Sequence, residues 1–571
     1  MPRTPLLRAL RALVAAHREA ARTGLSVEHV RAPSARTAQP DDGTGLSRRG
    51  FLAGSAVMAA GAMLPWSSGC SDEAQEGADP RIVIIGAGIS GLTAALYLKD
   101  AGHRATVYDM ATHVGGRMVS ERGSEPTGCA ACHAAPATAP KMSWDDAQVT
   151  DIYGELIDTG HTTVQDLAKR FGLSMVNALA AEPKGATETY FFNGAYYPRA
   201  QADQDFGQIY DALQKDAEDA GWPTTWDSST EAARKLDAMS LHDWIESRVP
   251  GGHTSPLGKL LDVAYTIEFG AETTDQSALN LVSMLSGAPE DSVDVFGESD
   301  EALRIQGGVD QLPRRIADHL GIGSTVRLGW SMDALRKEAD GTYTLTFTVD
   351  GNTEEVRADV VVLALPFAKL RTLDIAKAGF DERKMKAINE LGTGRNGKIH
   401  LQFKKRLWNE AGPWGVSGGT TYSDTGAQLV WDPTRGQAGT GGILAGYTGG
   451  DATDAATITH PYKNNGDENL VADANRFLTQ IEPIFPGITA LWNGKAAETM
   501  AHMDPRFNGS YAYWRVGQCQ TIAGYERVRQ GNVFFCGEHT SVENQGFMEG
   551  AASEGIRAAD EIRTTVLAQK A

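Results

Sequence analysis

The first sustained structure-forming pattern along the chain begins at Arg81, where Arg81-Ile82-Val83-Ile84-Ile85 forms a short apolar run rich in β-branched side chains. It ends in Gly86-Ala87-Gly88-Ile89-Ser90-Gly91, and the positions from Leu92 to Lys99 then take up a helical pattern. Strand, glycine turn and helix are predicted in that order. A second β-rich run, Ala105 to Tyr108, ends in Asp109, eighteen residues after Gly91. Farther on, a β-like stretch at Val326 precedes a hairpin around Asp350-Gly351, and Val360 to Pro366 reads as a buried strand. In this order Gly86 permits a tight turn, Gly88 lets the backbone approach a pyrophosphate, and Gly91 allows close helix packing, with the helix N-terminus facing the phosphates. Asp109 stands where a carboxylate accepts ribose hydroxyls. A lone glycine motif is weak evidence; with a strand before it, a helix after it and that carboxylate, a dinucleotide site is expected.

Upstream, Ser47-Arg48-Arg49-Gly50-Phe51-Leu52 is a twin-arginine signature, and Phe51 to Leu64 is a Gly/Ala-rich, moderately apolar stretch too short to span a bilayer. The polar, acidic tract Ser71 to Asp79 reads as a linker, so residues 1–79 are assigned to signal and linker. The expected location is periplasmic, or otherwise exported by the twin-arginine route, which carries already folded proteins. Ser68-Gly69-Cys70 resembles the end of a lipoprotein cleavage site, with Ser67 where Leu is usual, which leaves a lipid anchor at Cys70 as the lesser alternative. Residues 1–70 hold nine Arg against four acidic residues, and their removal takes the net charge from −19 to −24. A surface that acidic argues against nucleic acid and favours cationic partners, such as amines or a basic electron carrier, although solubility alone accounts for it equally well. The remaining chain of roughly 490 residues is long enough for two domains or one large composite. The pattern leaves oligomeric state open.

The five cysteines change the picture most. In Cys129-Ala-Ala-Cys132-His133 two thiols and an imidazole have the spacing of a covalent c-type haem site: the thiols add across the vinyl groups and His133 takes the iron as proximal ligand. A redox-active CxxC and part of a zinc site compete with this reading, the latter without a nearby second cysteine pair. The tract from about Gly123 to Met142 is rich in Ala and Pro, without amphipathic periodicity, and too short for a cytochrome domain. One haem c on a loop at 123–142 is therefore expected. Met142 is the nearest downstream methionine for the sixth ligand, with Met118, His113 and His161 as rivals. Cys519 and Cys536 default to buried thiols, although export permits a disulfide.

Downstream motifs resemble the flavin amine oxidase family. Val114-Gly115-Gly116-Arg117 resembles its GGR motif, which makes the cofactor FAD, and Gly154-Glu155-Leu156-Ile157-Asp158 resembles its GGELID segment, with Tyr153 replacing the first Gly. Gly307 to Pro313 resembles a loop before a helix of the family's FAD domain, and Val326 matches the position whose backbone contacts adenine. Val533-Phe534-Phe535-Cys536-Gly537-Glu538-His539-Thr540 looks like the strand ending in GEHT, with Glu538 as the cofactor-contacting acid. Gln545 to Ala551 resembles the closing motif, where Met548 opens a helix whose dipole can stabilise negative charge on the reduced ring. The resemblance implies an α/β fold: a Rossmann-like FAD-binding domain (80–162, 296–385 and 501–571) interleaved with an α+β substrate domain (163–295 and 386–500).

The same resemblance implies an amine substrate. Tyr511, in Asn508 to Trp514, maps to one wall of an aromatic cage and Phe547 to the other, where core packing is the plain alternative. Ser510 stands where members with covalent FAD carry Cys, so the flavin is expected to be noncovalent. Lys398, in Asn396 to Phe403, maps to a lysine that hydrogen-bonds a water beside the flavin, against the alternative of a solvated strand lysine. The implied reaction is hydride transfer from the substrate α-carbon to FAD, the imine then hydrolysing, with electrons leaving singly through the haem to an external cytochrome or similar carrier. An oxygen-using amine or L-amino-acid oxidase with a non-catalytic haem, and a non-catalytic electron-transfer protein, are the competing classes. The residues shaping the substrate pocket are expected from the divergent segment 163–295.

Overall fold

The computed structural model describes residues 80–122, 144–465 and 467–568. Strands Ile82–Ile85, Ala105–Asp109, Val326–Leu328, Val360–Leu363 and Val533–Phe535 form one all-parallel sheet, with Ile82–Ile85 at its centre between Val360–Leu363 and Ala105–Asp109. Ile82 to Ile85 and Val360 to Leu363 are buried throughout, as unbroken apolar runs in a sheet covered on both faces must be. One face packs helix Ile89–Asp100 against the last helix, Met548–Ile562. The other is covered by the three-stranded antiparallel sheet Ser331–Lys337, Tyr343–Val349 and Asn352–Ala358, the hairpin read from Asp350-Gly351, through Leu335, Leu345 and Phe347.

A second, mixed sheet of eight strands centres on Asn396–Phe403, flanked antiparallel by Gly442–Gly449 and Trp492–Met500. Helices Arg199–Ala220, Leu241–Arg248, Pro256–Phe269 and Ala278–Leu285 join it in a separate core around Trp244, Tyr265 and Phe206. The chain enters each sheet more than once, giving the interleaved architecture expected. Helix Pro256–Phe269 shows how local chemistry positions the site: Ser255 caps it by accepting from the Gly258 N–H, Pro256 opens it, and Gly270 at φ +62° ends it. A Cβ at Gly270 would lie 2.1 Å from Asn396 Oδ1, so helix and central strand meet there and the last turn, Ile267 and Glu268, faces the region between the sheets. No helix among the described residues is long and apolar enough to cross a membrane.

Cys70, Cys129, Cys132, His133, Met142 and the twin-arginine segment lie outside the described residues. The rival sixth ligands are engaged elsewhere. Met118 is buried in the core, His113 Nε2 accepts from Arg506, and His161 accepts the Asp158 N–H on Nδ1 with Nε2 3.3 Å from the Asp158 carboxylate. Cys519 and Cys536 are free, buried thiols.

Candidate active site

A cavity of about 590 Å³ runs from the carboxyl end of the parallel sheet to the face of the eight-stranded sheet. Gly86, Gly88, Asp109, Gly116, Arg117, Lys398, Tyr511, Glu538, Phe547 and Met548 all line it. At the dinucleotide end, the Gly91 Cα approaches its own turn so closely that a Cβ would stand 2.0 Å from Gly86 O, while a Cβ on Gly88 would have nothing within 4 Å. Gly91 serves packing and Gly88 faces open space, the division of labour a phosphate cradle requires. Asp109 Oδ2 accepts from the Ala87 N–H at 2.6 Å and Oδ1 from Ala111 at 2.7 Å. The carboxylate thus ties the glycine turn to the second strand, and its remaining lone pairs are what a ribose can use. Arg117 Nη1 donates to Glu538 Oε1 at 2.9 Å and to the Ser510 carbonyl, while Glu538 Oε2 accepts from Gly546 N–H at 3.1 Å. One partly buried ion pair therefore joins the GGR, aromatic-wall and closing segments.

Two expectations need correction. Val326 does not line the cavity: it is fully buried, its N–H donates to Gly321 O and its carbonyl accepts from Gly323, while Trp330 and Met332 reach the cavity from the same side. The pocket is also not built mainly from 163–295. Tyr422, Trp431 and Tyr447 come from strands Thr421–Ser423, Leu429–Trp431 and Gly442–Gly449, and Glu301 follows the segment.

Lys398 is 4% exposed, unlike the solvent-facing Lys404 and Lys405. Its ammonium donates to Tyr153 O at 2.8 Å, Asp151 O at 3.0 Å and Glu155 Oε2 at 3.2 Å, and lies 5.0 Å from the Trp431 ring centroid. All three protons have protein acceptors, where the motif implied a water. Tyr511 donates to Ile267 O at 2.9 Å and meets the Tyr447 hydroxyl at 3.0 Å; Phe547 packs edge-on to His161. No motif marks Tyr447, though strand register seats it directly across from Lys398.

Burial, then the charge of Glu155, pushes the Asp151 carboxyl up to about 7. Since the folded value exceeds the ordinary 3.8, the native state keeps a proton that the unfolded chain releases between about pH 4 and 7, and this group's contribution to stability falls as pH rises through that window. An Asp151→Asn variant, whose amide oxygen can still accept from Ser120 and Val309, is expected to match wild type at pH 4 and exceed it at pH 8 by on the order of 1–3 kcal/mol in urea titrations.

Does the cavity suit FAD? The buried His539 imidazole faces it with neither ring nitrogen partnered, and burial lowers its basicity to about 3, leaving it neutral with a donor and an acceptor to offer. With the open cradle at Gly88 and the uncapped amino end of helix Met548–Ile562 beside Phe547, the residues fit a flavin dinucleotide. Fold and site together define a dinucleotide-binding oxidoreductase of the flavoprotein class.

The profile of the family described as "Flavin containing amine oxidoreductase" matches residues 89–563, and the chain belongs to that family. Among curated relatives, an L-amino-acid oxidase of Siganus canaliculatus is 25% identical, the match covering 85% of this chain and 86% of that protein. A nicotine dehydrogenase of Pseudomonas putida is 23% identical, covering 91% and 97%. Among solved structures, cyclohexylamine oxidase from Brevibacterium oxydans superposes with a TM-score of 0.68 at 22% identity, covering 86% of this chain and all of that one. Putrescine oxidase bound to putrescine gives 0.66 at 20%, covering 85% and 99%. The chain is thus an FAD-dependent oxidoreductase of the amine and amino-acid oxidising family.

Proposed function

We propose that the protein is an exported FAD-dependent amine dehydrogenase whose electrons leave through a covalently bound haem c to an external carrier. Bound FAD supplies the acceptor for a hydride from the substrate α-carbon, and a haem on Cys129, Cys132 and His133 supplies a one-electron outlet. Gly86, Gly88, Asp109, Gly116, Arg117 and Glu538 would hold the dinucleotide. Tyr511, Phe547, Tyr447 and Trp431 wall the reacting end with aromatic carbon, which excludes water and favours the neutral amine that hydride loss requires. The amino end of helix Met548–Ile562, with no side-chain cap, presents backbone N–H groups where negative charge grows. Lys398 holds the carbonyls of Asp151 and Tyr153 and the Glu155 carboxylate beside this space. Water then hydrolyses the imine to a carbonyl compound and ammonia or a smaller amine.

The observation that carries the haem half is where the CxxCH segment is tethered. Strands Ser120–Arg122 and Val149–Asp151 pair antiparallel, the Asp151 carbonyl accepts from Lys398, and the CxxCH motif lies between these two strands in the sequence. Cys129 is seven residues beyond Arg122 in the sequence, a separation that fully extended chain spans in about 25 Å at most. The relative whose name is a dehydrogenase accords with an acceptor other than oxygen. In a Cys129→Ala, Cys132→Ala variant, FAD reduction by amine is expected to persist within about threefold, while reduction of an added cytochrome falls by about a hundredfold or more, each tenfold being 1.4 kcal/mol of barrier. Stopped-flow mixing of the reduced protein with oxygen and with cytochrome checks this; equal cytochrome rates in both proteins would remove the haem from the electron path.

A further inference from the structure

Two carboxylates in the cavity have no work inside the protein. Glu268, from the last turn of helix Pro256–Phe269, and Glu301 both line the cavity, and neither side chain makes a hydrogen bond or ion pair among the described residues. The other acids at that end are satisfied: Glu188 by Tyr190 and Arg199, Asp294 by Arg199, and Asp300 by Thr159. We propose that Glu268 and Glu301 bind a second cationic group of the amine, so that the cavity selects a diamine or polyamine over a monoamine or an α-amino acid. This rests on the amine reading above and names its substrate class.

The cavity makes the site; the carboxylates decide what it accepts. Both sit among the aromatic walls: Glu268 directly follows Ile267, whose carbonyl accepts from Tyr511, and the hydroxyls of Tyr447, Tyr511 and Tyr422, raised first by burial, are raised further by the charges of both carboxylates. An ammonium among aromatic faces and carboxylates is held by charge and by the ring quadrupoles together. Burial, then the charge of Asp158, lifts Glu301 to about 7, and burial, then Glu301, holds Glu268 well above the ordinary carboxylate range. Burial therefore favours the protonated forms while the space is empty, and an arriving cation favours the charged ones. The fields of Arg435 and Lys398 also reach Glu301, but Arg435 is bound to Glu182 and to the Asp432 carbonyl, and Lys398 to Glu155. Arg435 and Lys398 are thus both paired, and neither is free at this end for a substrate carboxylate.

Anaerobic flavin bleaching by n-alkylamines, α,ω-diamines of the same carbon number and L-amino acids tests the proposal on the whole protein. The expected result is at least about a thirtyfold preference in rate over KM for the best diamine over its monoamine. In a Glu268→Gln, Glu301→Gln variant that preference should collapse, chiefly through a raised KM for the diamine. Because the wild-type comparison needs no variant, a folding defect cannot hide the answer. Bleaching by monoamines or L-amino acids as well as by diamines would overturn the proposal and leave amine or amino-acid oxidation standing. No bleaching with any amine or amino acid would overturn both.

Discussion

Replacing Gly88 with Val should leave a folded protein that cannot hold FAD, whereas replacing Gly91 with Ala should damage the fold itself. The two glycines are three residues apart in one turn, yet their surroundings differ completely. Gly88 has φ −71° and ψ 174°, a conformation any L-residue adopts and β-branched ones favour, and its Cβ would meet nothing within 4 Å. That empty direction is the cavity. Stability of the apoprotein should therefore stay within about 0.5 kcal/mol of wild type, while FAD affinity falls by about a hundredfold or more, some 3 kcal/mol of lost approach. At Gly91 the new methyl would stand 2.0 Å from Gly86 O and 3.2 Å from Ala364 Cβ, forcing helix Ile89–Asp100 off the central strand at a cost of about 3 kcal/mol or more. Urea titration of apoprotein and the flavin absorbance retained after gel filtration separate the two outcomes. FAD retained by Gly88→Val would place the phosphates elsewhere.

Lys398→Met is expected to cost about 3–5 kcal/mol, the penalty for breaking a buried pair and leaving its partner charged. Glu155 is 4% exposed, and without Lys398 it retains only the Trp431 indole N–H at 3.3 Å; the carbonyls of Asp151 and Tyr153 lose their donor as well. Adding Glu155→Gln removes the stranded charge while keeping an acceptor for Trp431, so the double variant should regain most of that stability. The recovered protein then isolates what the ammonium does for chemistry. Flavin reduction by amine about a hundredfold slower than wild type is the expected result, the size of effect that displacing the groups lining a reacting centre produces. Reduction at the wild-type rate would make Lys398 a structural residue alone.

The dinucleotide half was legible because its constraints are local. A turn that admits a phosphate needs Gly at fixed offsets, and the strand before it, the helix after it and Asp109 lie within thirty residues. The same locality kept Glu538, Met548, Tyr511 and Lys398 visible as short motifs. What escaped is held together by long-range pairing. Tyr447 reaches the cavity because Gly442–Gly449 pairs in register with Asn396–Phe403, and Trp431 because Leu429–Trp431 pairs with the former in turn. Glu155 was read as part of a motif, but its role as the counter-ion of Lys398 spans 243 residues. Glu268 and Glu301 look like any acidic residues in a chain that holds seventy-two; only burial beside aromatic walls without partners distinguishes them. Val326 went wrong for a related reason, since a neighbouring turn consumes both of its backbone groups.

Electron flow from an amine through FAD to a haem moored at Cys129 and Cys132 is the claim on which the proposed activity rests. The absorption spectrum of the purified exported protein, recorded without oxygen before and after adding a diamine, tests it most directly. The account predicts loss of the flavin bands together with a sharp reduced α-band, from a porphyrin that stays with the polypeptide after denaturation. A bleached flavin with no such band, or a porphyrin washed away by denaturant, would contradict it.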